Sequence, residues 1–217
     1  MLKDMKKGRV LLMDSCPMTR EGIKCALMNI NCIDNAIIEA NKLYQIPVLV
    51  SKYQPRAIIM ELYGQDESAL DALRVITLCR GGWPDTPIIV CTAIEDPRLL
   101  ALLKNMGVRG ICLKIEPIDA IINCVKQVVK QQRWYSNRVE SNFDRNKSIC
   151  TPLTSKEIDV LEFIFSGKSV TRTSLLMHRD VRTVSTHKRN AMSKLGFKND
   201  WDMFTHGGWM LKGDSFH

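Results

Sequence analysis

The sequence lacks the features that would assign it to a membrane, a secretory route or a metal-dependent redox class. None of its apolar runs approaches the roughly 20 residues that cross a bilayer, and its first residues lack a signal-peptide pattern. Its eight cysteines are scattered, and no two have the C-x-x-C spacing of a zinc or redox site. We therefore expect a cytoplasmic protein with reduced cysteines, no metal, no cofactor and no membrane partner.

Positive charge is present in excess and is unevenly distributed. The 217 residues are enough for two small domains, and their formal net charge is +8. Residues 1–125 contain 15 basic and 14 acidic residues, whereas residues 126–217 contain 16 basic and 9 acidic residues. A basic balance is typical of proteins that bind nucleic acids or other polyanions. It indicates that the C-terminal part binds the anion.

Short apolar runs alternate with helical segments through the first 132 residues. Predicted strands cover residues 9–13, 36–40, 57–60, 87–92 and 110–113, and predicted helices cover residues 19–30, 68–78, 96–107 and 117–132, with one more before Tyr53. This alternation predicts an α/β domain with a doubly wound, five-stranded parallel sheet. The polar stretch 133–150 is predicted to be a mobile linker, which gives domains at 1–132 and 151–217.

Polar side chains follow these strands at the edge where open α/β sheets place their sites. They are Asp14, Ser15, Glu61, Thr92 and Lys114. The pattern resembles the flavodoxin-like receiver domain of response regulators, in which two acids after the first strand and an aspartate after the third bind Mg²⁺ and accept a phosphoryl group. The segment 107–114 also resembles the glycine-rich segment that precedes the receiver lysine.

Two departures from the receiver pattern change the expected chemistry. Ser15 replaces one of the two acids, and Glu61 stands at the acceptor position. Because Mg²⁺ requires near-ideal octahedral oxygen geometry, we expect weak metal binding and no phosphorylation. Glu61 is either a built-in negative charge facing Lys114 or a tolerated relic. Ile111, at the position of the family's switch aromatic, favours a static interaction surface.

Residues 153–196 predict three short helices. Thr154 and Glu157 have the spacing of a capping box, which starts a helix at about Ser155. The second helix is predicted at about 171–177. Asp180 is predicted to cap the third, which ends near residue 195 and before a glycine. Three helices at this spacing, with a basic last helix, are typical of a helix-turn-helix domain.

The third helix has distinct inward and outward faces. Val184, Ala191 and Leu195, together with His187 or Lys188, recur at helical spacing and are predicted to face the core. Polar residues on the remaining faces are predicted to bind DNA. The hydroxyls and Arg189 are predicted to contact the edges of the nucleobases, and the flanking basic side chains are predicted to contact phosphates. The predicted DNA-binding residues are Arg182, Thr183, Ser185, Thr186, Lys188, Arg189 and Lys194.

The C-terminal pattern resembles the helix-turn-helix of the LuxR/FixJ/NarL family. The matching residues are Leu153, Thr154, Glu157, Val160, Leu161, Gly167, Thr183, Val184, His187, Lys194, Leu195 and Gly196. Thr173 and Ser174 depart from the family's Ile-Ala pair, which weakens packing there. The segment 179–196 is most similar to the RcsB-type capsule regulators and their RcsA- and BglJ-type partners, a group in which an atypical receiver is common.

The resemblance implies a non-enzymatic bacterial transcriptional regulator that binds double-stranded DNA at the nucleoid. It implies a homodimer, or a heterodimer with a related response regulator, and a receiver that works without phosphorylation. Two alternatives stay open: a conventional response regulator phosphorylated by a histidine kinase, and an interaction protein that sequesters a partner without binding DNA. The apolar stretch 201–211 is predicted to complete the C-terminal core or to form a dimer contact.

Overall fold

The computed structural model describes residues 8–28, 30, 33, 36–145 and 151–211. The N-terminal domain contains a parallel sheet of order β2-β1-β3-β4-β5-β6. Its strands are β1 (Val10–Met13), β2 (Ile38–Ala40), β3 (Ala57–Met60), β4 (Ile88–Thr92), β5 (Gly110–Leu113) and β6 (Trp134–Tyr135). The predicted doubly wound α/β fold is confirmed, but the sheet has six strands where five were predicted.

The helices that accompany the sheet in the described residues are α1 (Pro17–Leu27), α2 (Gln45–Tyr53), α3 (Ala69–Gly82), α4 (Pro97–Asn105), α5 (Ile118–Val128) and α6 (Asn137–Arg145). Local sequence fixes several of their ends. Ser68 and Asp71 form a capping box at α3, and Asp96 caps α4 ahead of a proline at the first helical position. Gly107 follows α4 at φ 84°, a left-handed conformation that glycine adopts most readily.

Alternating side chains of the buried strands form two separate cores. One, with Val10 and Leu12, packs against α1 and α5. The other, with Leu11 and Met13, packs against α2, α3 and α4 and continues into the C-terminal domain. Period-two alternation with both faces covered is the expected result for a parallel sheet. Because the strands are parallel, their carboxyl ends and the polar residues that follow them lie at one edge of the sheet.

The polar stretch predicted as a linker is largely folded. Residues 134–145 form β6, which pairs with β5, and α6, which lies against α4. Val139 is fully buried, and the Tyr135 and Phe143 rings meet edge to face at 5.4 Å. These few apolar side chains hold a segment whose average composition is polar. The rest of the predicted linker, residues 146–150, lies outside the described residues.

The C-terminal domain is helical, as predicted. It consists of α7 (Ser155–Phe165), α8 (Val170–Leu176), α9 (Val181–Lys194), α10 (Asp200–His206) and a 3₁₀ turn at Gly208–Met210. The predicted capping box forms at Thr154 and Glu157. Asp180 occupies the N-cap of α9 as predicted, but its side chain makes no capping hydrogen bond.

Packing within this domain follows the sequence pattern, but the buried Thr173 hydroxyl destabilises it locally. Met203, Trp209 and Met210 are buried and complete the core, whereas Trp201 and Phe204 are 72% and 52% exposed. Both predicted roles of this stretch are therefore compatible with its placement. Thr173 is fully buried, and its hydroxyl has no hydrogen-bond partner among the described residues. An unsatisfied buried hydroxyl costs about 1–3 kcal/mol.

The two domains contact each other through charged and polar groups. Arg74 of α3 binds two carboxylates of α7, with Nη2 at 2.7 Å from Asp159 Oδ1 and Nη1 at 2.8 Å from Glu162 Oε2. Arg98 of α4 lies 3.3 Å from Asp202 Oδ1 and above the Phe197 ring. These contacts join the α3–α4 side of the sheet domain to α7 and α10.

A hydrogen bond adds to this interdomain contact beside the polar edge of the sheet. Tyr63, just after β3, donates its hydroxyl to the Trp209 carbonyl at 3.0 Å. Burial raises the pKa of the Tyr63 hydroxyl, so that it stays a donor.

No helix in the described part of the chain is both long enough and apolar enough to cross a membrane.

Candidate nucleic-acid interface and receiver-like site

Three charged side chains converge at the carboxyl ends of β1, β3 and β5. Lys114 Nζ lies 2.6 Å from Asp14 Oδ2 and 2.7 Å from Glu61 Oε2. The two carboxylate residues are only 2% and 5% exposed. The sequence prediction that Glu61 and Lys114 lie within reach of each other is confirmed, and Asp14 completes the triad.

The other oxygen of each carboxylate accepts a hydrogen bond from a backbone N–H group. Asp14 Oδ1 accepts a hydrogen bond from the Cys16 N–H at 2.8 Å, and Glu61 Oε1 accepts one from the Leu62 N–H at 2.6 Å. Each carboxylate therefore has one oxygen on the ammonium and one on the backbone. Both oxygens of each carboxylate are therefore engaged within the fold.

The electrostatic balance of the triad favours a permanently charged lysine. Burial on its own would lower the pKa of Lys114, but attraction by Glu61 and the hydrogen bond to Asp14 outweigh it and raise the pKa. The other two predicted site residues lie outside the triad. Ser15 is exposed, and the buried Thr92 hydroxyl accepts a hydrogen bond from the Ile94 N–H at 3.2 Å.

These residues do not fit a magnesium site of the receiver type. Mg²⁺ needs several oxygen ligands in near-octahedral geometry. Ser15 offers a hydroxyl where the receiver family has a second acid, and the Lys114 ammonium contacts both Asp14 and Glu61 directly. A divalent cation would have to displace this ammonium from two buried carboxylates. We therefore derive no chemical step through a metal.

Helix α9 presents a polar stripe to solvent. Val184, Ala191 and Leu195 are buried, which confirms the predicted inward face. Of the predicted DNA-binding residues, Arg182, Thr183, Thr186 and Arg189 are exposed on the outward side of α9, and Ser185 is half-buried at the flank. The Thr186 hydroxyl donates to the Arg182 carbonyl at 2.9 Å, which keeps its oxygen available as an acceptor.

Two lysines predicted to bind DNA are engaged inside the domain. Lys188 Nζ lies 2.6 Å from Asp200 Oδ2, and its side chain is 12% exposed. Lys194 Nζ lies 2.8 Å from Glu157 Oε2, in the capping box of α7. Both ammonium groups are therefore paired within the domain and lie off the outward stripe, and their predicted role in DNA binding stays a prediction.

Sequence reasoning missed two outward residues of α9. Asn190 and Ser193 are exposed, one turn after Thr186 and Arg189 respectively. Helical spacing of i+4 from the predicted stripe would have found both. An asparagine amide can pair with adenine in the major groove, so Asn190 extends the set of residues able to contact base edges.

Replacing Lys194 by methionine is expected to destabilise the chain by about 2 kcal/mol and to leave DNA binding unchanged. Burial on its own would raise the pKa of Glu157, but hydrogen bonds from Lys194 and Thr154 hold it below the usual value. This stabilisation is present above the unfolded pKa of Glu157 and is lost as pH falls through the folded pKa. Urea titrations at several pH values should show a difference that shrinks in acid.

The matched control for this variant is Lys168→Met, an exposed lysine of the same domain. It should change stability by less than about 0.5 kcal/mol. A fall of about one unit in the salt slope of DNA binding for Lys194→Met would show instead that Lys194 contacts phosphate, as the sequence first suggested.

Comparison with known proteins identifies the C-terminal domain. Residues 151–206 match the family model described as bacterial regulatory proteins, luxR family. This range contains α7 to α10, including the polar stripe of α9. The LuxR-type pattern predicted from the sequence is therefore confirmed for this domain.

Relatives and solved structures extend the similarity to both domains. The transcriptional regulatory protein RcsB of Escherichia coli K12 is 24% identical over 199 residues, covering 90% of this chain and 92% of that protein.

RcsB of Salmonella enterica serovar Typhimurium, bound to promoter rprA with phosphomimetic BeF3⁻, is similar in structure with a TM-score of 0.68 and 22% identity, covering 93% of this chain and 98% of that chain. A structure of two RcsB dimers bound to two parallel DNAs has a TM-score of 0.62 and 22% identity, covering 94% and 99%. The chain thus shares the two-domain fold of RcsB, and its C-terminal domain matches the luxR family model of bacterial regulatory proteins.

Proposed function

We propose that this protein is a DNA-binding transcriptional regulator whose receiver-like domain acts without phosphorylation. The observation that carries the proposal is the Lys114 ammonium held between Asp14 and Glu61 at 2.6 and 2.7 Å, in the same chain as an exposed LuxR-type helix. The first feature concerns how the protein is controlled. The second concerns what it binds.

The polar stripe of α9 is suited to the major groove of DNA. A helix of this kind presents its N-terminal and outward residues to base edges. Arg182 and Arg189 are exposed at the two ends of the stripe, with the Thr186 hydroxyl between them. An arginine fork can bridge two acceptors of guanine. The similar RcsB chains were solved on DNA, which supports the same role for this domain.

The triad supports a receiver that needs no phosphoryl group. Glu61 has one oxygen on Lys114 and the other on the Leu62 N–H, and it is 5% exposed. Attack on a phosphodonor would require this carboxylate to leave both partners and to work without the usual second acid. Glu61 is instead paired with Lys114 within the fold, which favours one fixed conformation of this edge.

Incubation with acetyl phosphate and Mg²⁺ is expected to leave the native chain unphosphorylated. The physical reason is the missing acid at Ser15 and the Lys114 clamp on Glu61. Intact-protein mass spectrometry measures the incorporated phosphate. The double variant Ser15→Asp/Glu61→Asp restores the receiver acids and shortens the acceptor, so it is expected to gain phosphate. That gain serves as the positive control.

A stoichiometric acid-labile phosphate on the native chain, lost in Glu61→Gln, would contradict the proposal and favour a conventional response regulator. Failure of both the native chain and the double variant would place the block elsewhere than at Ser15 and Glu61. In that case the triad would not be the reason for phosphorylation independence.

A dimer is the assembly that the surface of α10 supports. Trp201 and Phe204 are 72% and 52% exposed on α10, the seven-residue helix whose Asp202 binds Arg98. Large exposed aromatic side chains are enriched at protein interfaces. RcsB is seen as dimers on DNA, and we propose that this chain pairs with itself or with a related regulator through such a surface.

A further inference from the structure

Tyr63 lies between the receiver-like site and the C-terminal domain. It follows β3, two residues after Glu61, and its hydroxyl donates a hydrogen bond to the Trp209 carbonyl at 3.0 Å. Trp209 is 5% exposed and belongs to the 3₁₀ turn Gly208–Met210, which contacts α3 and α7. Helix ends leave backbone carbonyls without a partner inside the helix. Tyr63 supplies one such carbonyl with a donor from the other domain.

The triad fixes the backbone from which Tyr63 projects. Lys114 Nζ lies 2.7 Å from Glu61 Oε2, and the Leu62 N–H donates to Glu61 Oε1 at 2.6 Å. The Glu61 N–H donates to the Met13 carbonyl at 3.0 Å, and the Leu62 side chain is fully buried. The two residues before Tyr63 are therefore held by the sheet, by the core and by the Lys114 ammonium.

The chain after Tyr63 is anchored as well. Glu67 Oε2 accepts a hydrogen bond from the Leu43 N–H at 2.7 Å, and its Oε1 accepts one from the Tyr44 N–H at 3.1 Å. These contacts tie the loop between β3 and α3 to the start of α2. A side chain at Gly64 would collide with the Glu67 carboxylate, so the glycine allows this anchoring. Tyr63 thus projects from a loop that is fixed on both sides.

The charge of the triad also acts directly on Tyr63. Burial raises the pKa of the Tyr63 hydroxyl, and the negative charge of Glu61 raises it further. Both effects keep the proton on the hydroxyl oxygen, and the donor role of Tyr63 depends on that proton. The acid of the receiver-like site and the donor to the C-terminal domain therefore interact electrostatically as well as through the backbone.

We propose that Tyr63 is a positioning residue through which the triad holds the C-terminal domain against the receiver-like domain. In this role Tyr63 sets the place of α9 relative to the receiver-like domain. The ion pairs of Arg74 and Arg98 join the same two domains, but they come from α3 and α4 rather than from the loop that follows Glu61. The inference rests on the proposed function only in taking the C-terminal domain as the DNA-binding unit.

Hydrogen exchange of the full chain, followed by mass spectrometry, measures the separation of the domains in the absence of DNA. Local opening sets the exchange rate of protected amides. The Leu211 N–H, bonded to the Gly208 carbonyl at 3.0 Å, lies in the reporting segment 208–211. Tyr63→Phe removes the donor and keeps the ring. Exchange in this segment is expected to become about fivefold faster, which corresponds to the roughly 1 kcal/mol that one hydrogen bond contributes.

Tyr135→Phe is the matched control, because the half-buried Tyr135 also donates its hydroxyl to a backbone carbonyl, that of Val108 at 3.2 Å. This variant should leave the exchange of segment 208–211 at the native rate. Equal acceleration by both variants would show a general loss of stability and would overturn the proposal. An unchanged rate in Tyr63→Phe would overturn it as well.

A second comparison separates coupling to the triad from a purely local hydrogen bond. Glu61→Gln removes the charge that Lys114 holds, and it is expected to accelerate exchange of segment 208–211 about as much as Tyr63→Phe does. In the Tyr63→Phe background it should add nothing. Effects that multiply would show that the two residues act independently, which would refute the link to the triad. Asp14→Asn perturbs the triad from β1 and repeats the comparison if Glu61→Gln does not fold.

The outcome does not depend on DNA binding, because the exchange experiment contains no DNA. If the native chain fails to bind duplex, the proposed function fails, and the comparison of Tyr63→Phe with Tyr135→Phe still tests the positioning role. If the native chain binds duplex and segment 208–211 does not respond to Tyr63→Phe, only the positioning role fails.

Discussion

Replacing Lys114 by methionine is expected to lower the free energy of unfolding by about 3 kcal/mol. The substitution leaves Asp14 and Glu61 buried next to each other with no cation between them. Removing one partner of a buried ion pair costs about 3–5 kcal/mol, and the partial exposure of Lys114 places the effect at the lower end. Urea titration at neutral pH measures it.

The control for this prediction removes the two negative charges as well. Lys114→Met/Asp14→Asn/Glu61→Gln should recover part of the lost stability, because no unpaired charge remains. If the single and triple variants are equally unstable, shape and not charge determines the stability of this edge. The raised pKa of Lys114 makes its contribution fully present below its unfolded pKa and lost only as pH rises through the folded value, in strong alkali.

Replacing Arg189 by alanine is expected to cost about 1–3 kcal/mol in binding to the preferred DNA sequence and to relax preference at one base pair. Arg189 is exposed on the outward stripe of α9, with the buried Ala191 and Leu195 fixing the orientation of the helix. Its fork can donate hydrogen bonds to the N7 and O6 acceptors of guanine in the major groove. Binding of a duplex selected from a random library, against a random duplex, measures the change over a salt series.

Arg182→Ala is the matched comparison, since Arg182 lies on the same stripe nearer the start of α9. It is expected to weaken selected and random duplexes alike and to lower the salt slope by about one unit. Equal weakening of both duplexes by Arg189→Ala would show that Arg189 contacts phosphate. The orientation of α9 in the groove would then need revision.

Sequence patterns predicted those parts of the fold that depend on local spacing. Apolar runs predicted β1, β3, β4 and β5, weaker signals predicted β2 at the edge of the sheet, and the Thr154–Glu157 spacing predicted the start of α7. Strand β6 was missed because only two residues form it, and α6 because isolated side chains such as Val139 hold a polar segment in place. Average composition cannot reveal anchoring of this kind.

The candidate site shows the same division between local and tertiary information. The resemblance to receivers brought Glu61 and Lys114 together correctly, because parallel strands place their carboxyl ends at one edge. The partners of Lys188 and Lys194 could not be read from the sequence. Asp200 and Glu157 reach these lysines from other helices, and only the folded arrangement shows that their charges are already used.

The contact between the domains has a consequence for work with truncated proteins. A fragment that begins at residue 151 loses Arg74, which holds Asp159 and Glu162 on α7, and Arg98, which holds Asp202. The separated fragment therefore lacks the arginine partners of all three acids on the surface that faces the receiver-like domain in the intact chain, although Lys156 still lies 3.2 Å from Asp159 and His206 lies 2.8 Å from Asp202. Those acids repel polyanions and one another. Affinities measured on the fragment would understate those of the whole protein, even with every side chain of α9 unchanged.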